Sequence, residues 1–87
     1  MFVQTEPTPN PATLKFLPGQ EVMKEGTIFF QNEESANNSA LATNLFLIKG
    51  VESVFFGSDF ITITKAEASD WTLMKPAILG CIIEHFT

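Results

Sequence analysis

Two strand-like runs and the turn between them lie in Val51-Glu52-Ser53-Val54-Phe55-Phe56-Gly57-Ser58-Asp59-Phe60-Ile61-Thr62-Ile63-Thr64. The runs Val51–Phe56 and Phe60–Thr64 are rich in β-branched and aromatic residues, which favour strands. The turn Gly57-Ser58-Asp59 consists of residue types that tolerate the positive φ of a tight hairpin. We therefore expect these two strands to pair in an antiparallel hairpin.

Three further strands are predicted before this hairpin. They are Phe2–Thr5, Thr13–Leu17 and Thr27–Phe30. In the second of them Leu14 and Phe16 fall on one face, because side chains alternate along a strand. Pro7, Pro9 and Pro11 exclude helix and sheet interior between the first two, which predicts an extended crossing.

A first helix is predicted between Ser39 and Gly50. Ser39 is a suitable N-cap, and Gly50 suits the left-handed residue beyond a helix C-terminus. Leu41, Leu45 and Ile48 form one apolar stripe at helical spacing, so this helix should pack on a sheet.

A second helix is predicted over Trp71–Phe86, capped by Ser69 or Asp70. Pro76 lacks an N–H and crowds the preceding turn, so we expect a short first turn at Trp71–Met74 and a kink or new start near the proline.

The order of these elements predicts an α+β fold for a single domain covering residues 1–87. The expected architecture is a two-layer sandwich, with an antiparallel-rich sheet of about four to five strands and two helices packed on one face. The polar stretch 31–38 has no periodicity and is expected to be a solvated loop.

Composition excludes several classes of function. The chain is 45% hydrophobic and contains nine Phe, which indicates a packed aromatic core. With a net charge of −5 and only five Lys or Arg residues, it has no basic patch for nucleic acid. Its apolar runs are far shorter than a membrane helix, no secretory signal is visible, and the single Cys fits a reducing compartment.

Groups that could carry catalysis are scarce. His85 is the only His, no Tyr is present, and the sequence has no Gly-rich phosphate loop. The acidic residues stand in polar stretches, where solvated surface charge explains them. The sequence therefore predicts a protein that is not an enzyme.

Cys81 and His85 are the weak candidates for metal ligands. They stand four residues apart on the last predicted helix, which places a thiol and an imidazole on one side. Two ligands do not complete a site, and a partly buried thiol beside a surface histidine explains the pair without a metal. The alternative function is a small iron- or metal-binding protein in which two copies of the chain together supply four ligands.

A concentration of aromatic residues is the candidate for a partner-binding surface, because aromatic residues dominate interface hot spots. The candidate residues are Phe55, Phe56, Asp59, Phe60 and Trp71. Phe55 and Phe56 are adjacent on a strand and must point to opposite faces, so one of them is expected in the core.

Several blocks of the sequence, in order, resemble the N-terminal domain of the Nfu (NifU-like) iron–sulfur cluster scaffold and carrier proteins. The longest are Thr5-Glu6-Pro7-Thr8-Pro9-Asn10-Pro11-Ala12-Thr13-Leu14-Lys15-Phe16 and Phe55-Phe56-Gly57-Ser58-Asp59-Phe60-Ile61-Thr62-Ile63-Thr64-Lys65. Shorter ones are Ser39-Ala40-Leu41-Ala42, Gly50-Val51, Asp70-Trp71 and Met74-Lys75-Pro76-Ala77-Ile78.

This resemblance implies a part in assembling iron–sulfur clusters and delivering them to apo-proteins. In the family the cluster is bound by Cys-x-x-Cys pairs of a separate C-terminal domain, which has no counterpart in residues 1–87. No cofactor is therefore expected in this domain, which would contact iron–sulfur assembly proteins or apo client proteins as a monomer when isolated. Because Met1 stands directly before the first strand, we expect a bacterial cytoplasmic form; a eukaryotic form cut after its transit peptide would lie in the mitochondrial matrix.

Overall fold

The computed structural model describes all residues from Met1 to Thr87 as a five-stranded antiparallel sheet covered by helices. The elements in chain order are β1 (Gln4–Pro7), β2 (Thr13–Leu17), β3 (Ile28–Phe30), a short 3-10 helix (Glu33–Ala36), α1 (Ala40–Phe46), β4 (Val51–Phe56), β5 (Ile61–Lys65) and α2 (Trp71–Phe86). The strand order across the sheet is β1-β2-β5-β4-β3. The predicted α+β architecture, with its antiparallel sheet and two helices, is confirmed.

The hairpin of β4 and β5 forms the middle of the sheet. Val54 lies opposite Ile63 and Phe56 opposite Ile61, so the apolar positions of both strands share one face. The Gly57 N–H donates to the Phe60 carbonyl over 2.9 Å and closes the turn. The hairpin predicted from the sequence is present, with β5 beginning one residue later than expected.

The core lies between one face of the sheet, here called the inner face, and the two helices. The inner face supplies side chains that are buried from solvent: Phe16, Phe30, Val54, Phe56, Ile61 and Ile63. The helices supply Leu41, Leu45, Met74, Ile78 and Ile82. No helix covers the opposite face of the sheet, here called the outer face, whose strand residues alternate with the buried ones.

The first strand lies two residues later than predicted and ends on a proline. β1 pairs with β2 from Gln4 opposite Leu17 to Pro7 opposite Leu14. Pro7 was expected in the extended crossing and is instead the last residue of this edge strand. An edge strand has a partner on one side only, so a proline there need not remove a ladder hydrogen bond.

The polar stretch 31–38 is not a simple loop. Asn32 caps a 3-10 helix by accepting from the Ser35 N–H over 3.0 Å, and the Ser35 hydroxyl accepts in return from the Asn32 N–H. Ala36 in this helix is completely buried. The stretch is exposed to solvent as predicted, except at Ala36. The prediction of a loop was wrong for Glu33–Ala36, because local capping forms a helical turn that needs no hydrophobic periodicity.

α1 begins as predicted and ends earlier. The Ser39 hydroxyl accepts from the Ala42 N–H over 3.1 Å, which confirms the N-cap. The helix ends at Phe46, and Gly50 takes its positive φ of 100° in the turn that precedes β4. Gly50 therefore closes a turn and does not cap the helix, contrary to the prediction.

α2 is one continuous helix that contains Pro76, so the predicted short first turn and new start were wrong. Asp70 caps the helix as expected, accepting from the Thr72 N–H over 2.9 Å. The proline removes only the hydrogen bond to the carbonyl one turn earlier, at exposed Thr72, which water can satisfy. Complete burial of Ile78 and Ile82 holds the remainder of the helix on the sheet.

Candidate partner-binding surface

The outer face of the sheet carries an aromatic stack at the hairpin of its two central strands, formed by Phe55 of β4 and by Phe60 just before β5. The rings of Phe55 and Phe60 stack with centroids 6.0 Å apart and planes 23° from parallel. The Lys15 Nζ lies 4.5 Å from the centroid of the Phe60 ring, a cation–π contact. Lys15 also faces the Glu6 carboxylate, with 4.0 Å between Nζ and Oε1. Two predicted residues, Phe55 and Phe60, thus lie together, and Lys15 joins them.

Strand register explains why these side chains meet. One row of opposed residues crosses all five strands, because each strand is paired in register with the next. From edge to edge the row is Glu6, Lys15, Thr62, Phe55 and Phe29. Opposed residues on one face are the unit of contact in a sheet, so distant parts of the sequence form one continuous surface.

Gly57 makes room for this stack. A Cβ atom built on Gly57 would overlap the ring of Phe60. Gly57 is buried, because the Phe60 ring lies directly over its backbone. The glycine is therefore required by close approach on the outer face, in addition to its place beside the hairpin turn.

Two exposed aromatic residues were not among the sequence candidates. Phe29 on the edge strand β3 is 58% exposed, and Phe2, just before β1, is 80% exposed. Both alternate with buried neighbours, Phe30 and Val3 respectively. That alternation is the signal that could have identified them, since one of two adjacent strand residues must point away from the core.

The other predicted residues lie elsewhere. Phe56 is buried in the core with its ring edge-on to Phe30, 5.1 Å away. Half-buried Trp71 begins α2 and donates from its Nε1 to the Pro11 carbonyl over 3.0 Å, which fastens the proline-rich crossing to the helix. Phe56 and Trp71 therefore do not join the surface of Phe55 and Phe60, whereas exposed Asp59 lies at its margin in the hairpin turn.

A cavity of about 660 Å³ opens where the hairpin turn meets β1 and β2. Its lining includes Phe2, Leu17, Glu21 and Asp59. The Ser58 carbonyl at the tip of the hairpin accepts from the Val22 N–H over 2.7 Å, which ties the loop after β2 to this turn. The cavity is thus built from three separate segments of the chain.

Cys81 and His85 line a second cavity, of about 710 Å³, between α1 and α2. Burial, and next the negative charge of Glu84, raise the pKa of the Cys81 thiol above its ordinary value of 9.0. A raised pKa disfavours the thiolate, which is the form that binds a metal. No group of three or more His, Cys, Asp or Glu side chains is placed to hold a metal ion in the chain.

None of the helices has the length and apolar character needed to cross a membrane.

The sequence is similar to a known family over nearly its whole length. The family model described as the N-terminal part of the scaffold protein Nfu/NifU matches residues 3–87. A protein of Drosophila willistoni named NFU1 iron-sulfur cluster scaffold homolog, mitochondrial, is 53% identical over 99% of this chain. The human protein of the same name is 52% identical over the same share. The chain spans 30% of the fly relative's length and 34% of the human one's, about a third of each.

Solved structures share the fold. A NifU-like protein from Saccharomyces cerevisiae superposes with a TM-score of 0.87 at 34% identity, covering 98% of this chain and 77% of that one. A protein of Staphylococcus aureus superposes with a TM-score of 0.81 at 20% identity, covering 94% of this chain and 99% of the other. At that identity the second likeness concerns the fold alone.

Proposed function

Because the chain belongs to the Nfu/NifU scaffold family through its N-terminal domain, we propose that it contacts assembly or client proteins during iron–sulfur cluster delivery. In this proposal residues 1–87 form one domain that neither catalyses a reaction nor ligates the cluster. The relatives are named as iron–sulfur cluster scaffolds, and the chain matches about a third of their length. The cluster ligands would then lie in the remainder of such a protein.

The uncovered outer face of the sheet is the observation that carries this proposal. Phe29 is 58% exposed beside the Phe55 and Phe60 stack, although the core is complete on the inner face without these rings. Contiguous exposed aromatic surface is a disadvantage for solubility and commonly marks a contact with another protein. We therefore assign partner contact to the outer face, centred on Phe55 and Phe60.

The chemistry of the cysteine supports a role that does not ligate the cluster. Iron–sulfur clusters are held mainly by several thiolates, and this chain has one cysteine. Partial burial raises the pKa of that thiol, which disfavours its thiolate form. His85 beside it packs its ring edge-on to Phe86 at 4.9 Å. Cys81 and His85 are better explained as a half-buried and an exposed residue of α2 that need no metal.

The proposed location is the mitochondrial matrix. The fly and human relatives are both named as mitochondrial, at 53% and 52% identity. The bacterial structure, in comparison, is only 20% identical. The cytoplasmic location expected from the sequence has no support from these relatives.

Site-specific photo-crosslinking in cells tests the proposed function. A photoreactive phenylalanine analogue replaces Phe29 on the outer face in one variant and exposed Glu34 of the 3-10 helix in the matched control. We expect the variant at position 29, and not the control, to form cross-links that mass spectrometry assigns to iron–sulfur assembly or client proteins. Identical products from both positions, or products without any such protein, would contradict the proposal.

A further inference from the structure

The outer face offers a partner few free positive charges. Lys15 is the cation in the row that crosses the sheet, and it is already engaged by the Glu6 carboxylate and the Phe60 ring. This ion pair is the only one in the structure. The protein as a whole carries a net charge of −5. A partner that approaches this face therefore meets aromatic surface under a negative potential.

Two unpaired carboxylates stand at the end of this face. Glu21 and Asp59 line the 660 Å³ cavity together with apolar Phe2 and Leu17. Neither carboxylate takes part in an ion pair or a side-chain hydrogen bond, and no Lys or Arg lines the cavity. The cavity therefore combines apolar surface with uncompensated negative charge.

The cavity and the aromatic stack form one surface. Leu17 lies opposite Gln4 on the outer face, two residues along β2 from Lys15. Asp59 immediately precedes Phe60, whose ring carries the cation–π contact with Lys15. A bound segment could therefore run from the cavity onto the stacked rings without leaving the sheet.

We propose that this end of the outer face docks an arginine-bearing segment of a partner protein, with the guanidinium between Glu21 and Asp59. A guanidinium matches two carboxylates and stacks on aromatic rings such as Phe2, which a compact ammonium does less well. Neighbouring apolar side chains of the segment contact Leu17 and Phe60. The inference rests on the proposed function and specifies the chemistry of the partner.

The same charges disfavour two other occupants. A second copy of the chain would bring its own net charge of −5 and the same carboxylates to the contact, and like charges repel. An acidic segment meets the same repulsion. A basic segment gains in both association rate and specificity, because its potential complements that of the surface.

An NMR titration tests the inference. The isotopically labelled chain is titrated with acetyl-Leu-Arg-Leu-amide and, as neutral control, with acetyl-Leu-citrulline-Leu-amide. We expect amide shifts to change at Leu17, Glu21, Asp59 and Phe60 with the arginine peptide, and citrulline to bind at least about fivefold more weakly. Equal binding of both peptides would overturn the inference, because the charge would then not be recognised.

Paired variants separate local recognition from general charge attraction. Glu21→Gln with Asp59→Asn removes the two cavity carboxylates and should weaken the arginine peptide about fivefold. Glu34→Gln with Glu67→Gln removes the same charge from exposed positions outside every cavity and should leave the affinity unchanged. Equal weakening in both pairs, or in neither, would overturn the inference. Loss of the cross-links at Phe29 is a separate result that bears on the proposed function alone.

Discussion

The two faces of the sheet are built from the same strands but differ in burial and in the kind of side chain they carry. On the inner face Phe16, Val54, Ile61 and Ile63 are completely buried against the helices. On the outer face their strand neighbours remain in contact with solvent. There Thr13 and Thr64 share a hydrogen bond of 3.1 Å between their hydroxyls at one end, while the aromatic rings collect at the other.

This difference indicates which residues are present for stability and which are free for function. Burial of the inner face supplies the hydrophobic free energy that holds the fold. Polar threonines anywhere on the outer face would keep the protein soluble. The end of the face opposite to Thr13 and Thr64 nevertheless carries the Phe55 and Phe60 stack. The core on the inner face is complete without that stack, and we propose partner contact as its role.

The largest expected effect is a difference in unfolding free energy between substitutions on the two faces of one strand, β5. Ile63→Ala removes a completely buried side chain from central β5 and should lower the free energy of unfolding by about 3 kcal/mol. Thr62→Ala, the neighbouring residue on the outer face, should lower it by less than about 1 kcal/mol. Urea denaturation of both variants measures the contrast, and equal losses would show that the outer face contributes as much stability as the core.

An intermediate effect is expected where the outer face is closely packed. Gly57→Ala adds a Cβ atom that overlaps the Phe60 ring, so it should cost about 1–3 kcal/mol of unfolding free energy. Adding Phe60→Ala removes the overlap, and the double variant should lose less than the sum of the two single losses. Strict additivity in urea denaturation would mean that Phe60 does not lie over Gly57.

The smallest effect is expected at the exposed edge. Phe29→Ser should change the free energy of unfolding by no more than about 0.5 kcal/mol, because its ring is 58% exposed. Phe30→Ser is the matched control one residue along β3, where the ring is 5% exposed and its loss should cost about 3 kcal/mol or more. A large stability loss in the Phe29 variant would assign its ring to the fold and remove it from the proposed contact surface.

Local signals predicted most of the fold. The hairpin turn, the alternation of Leu14 and Phe16, and the caps at Ser39 and Asp70 each act within a few residues, and the structure contains them all. The errors also came from local signals, which were interpreted without the tertiary contacts around them. Pro76 was given too much weight because its single lost hydrogen bond was not set against the burial of the helix that continues past it.

The candidate surface was only partly predictable. Phe55 and Phe60 lie in one hairpin, so the turn alone brings them close. Phe29 joins them through pairing between β3 and β4, and Lys15 through pairing between β2 and β5. Trp71 looked equivalent to them in the sequence, but its indole N–H bonds to the Pro11 carbonyl away from this surface.

The sequence by itself determined the class of fold, the positions of the hairpin and both helices, and the resemblance to a scaffold family. These follow from short-range periodicity, turn residues and caps. Only the tertiary structure decided which of Phe55 and Phe56 is buried, and which residues gather around the cavity of Glu21 and Asp59. Strand register and loop attachment join residues far apart in the chain, and a one-residue change of register would reverse the faces of a whole strand.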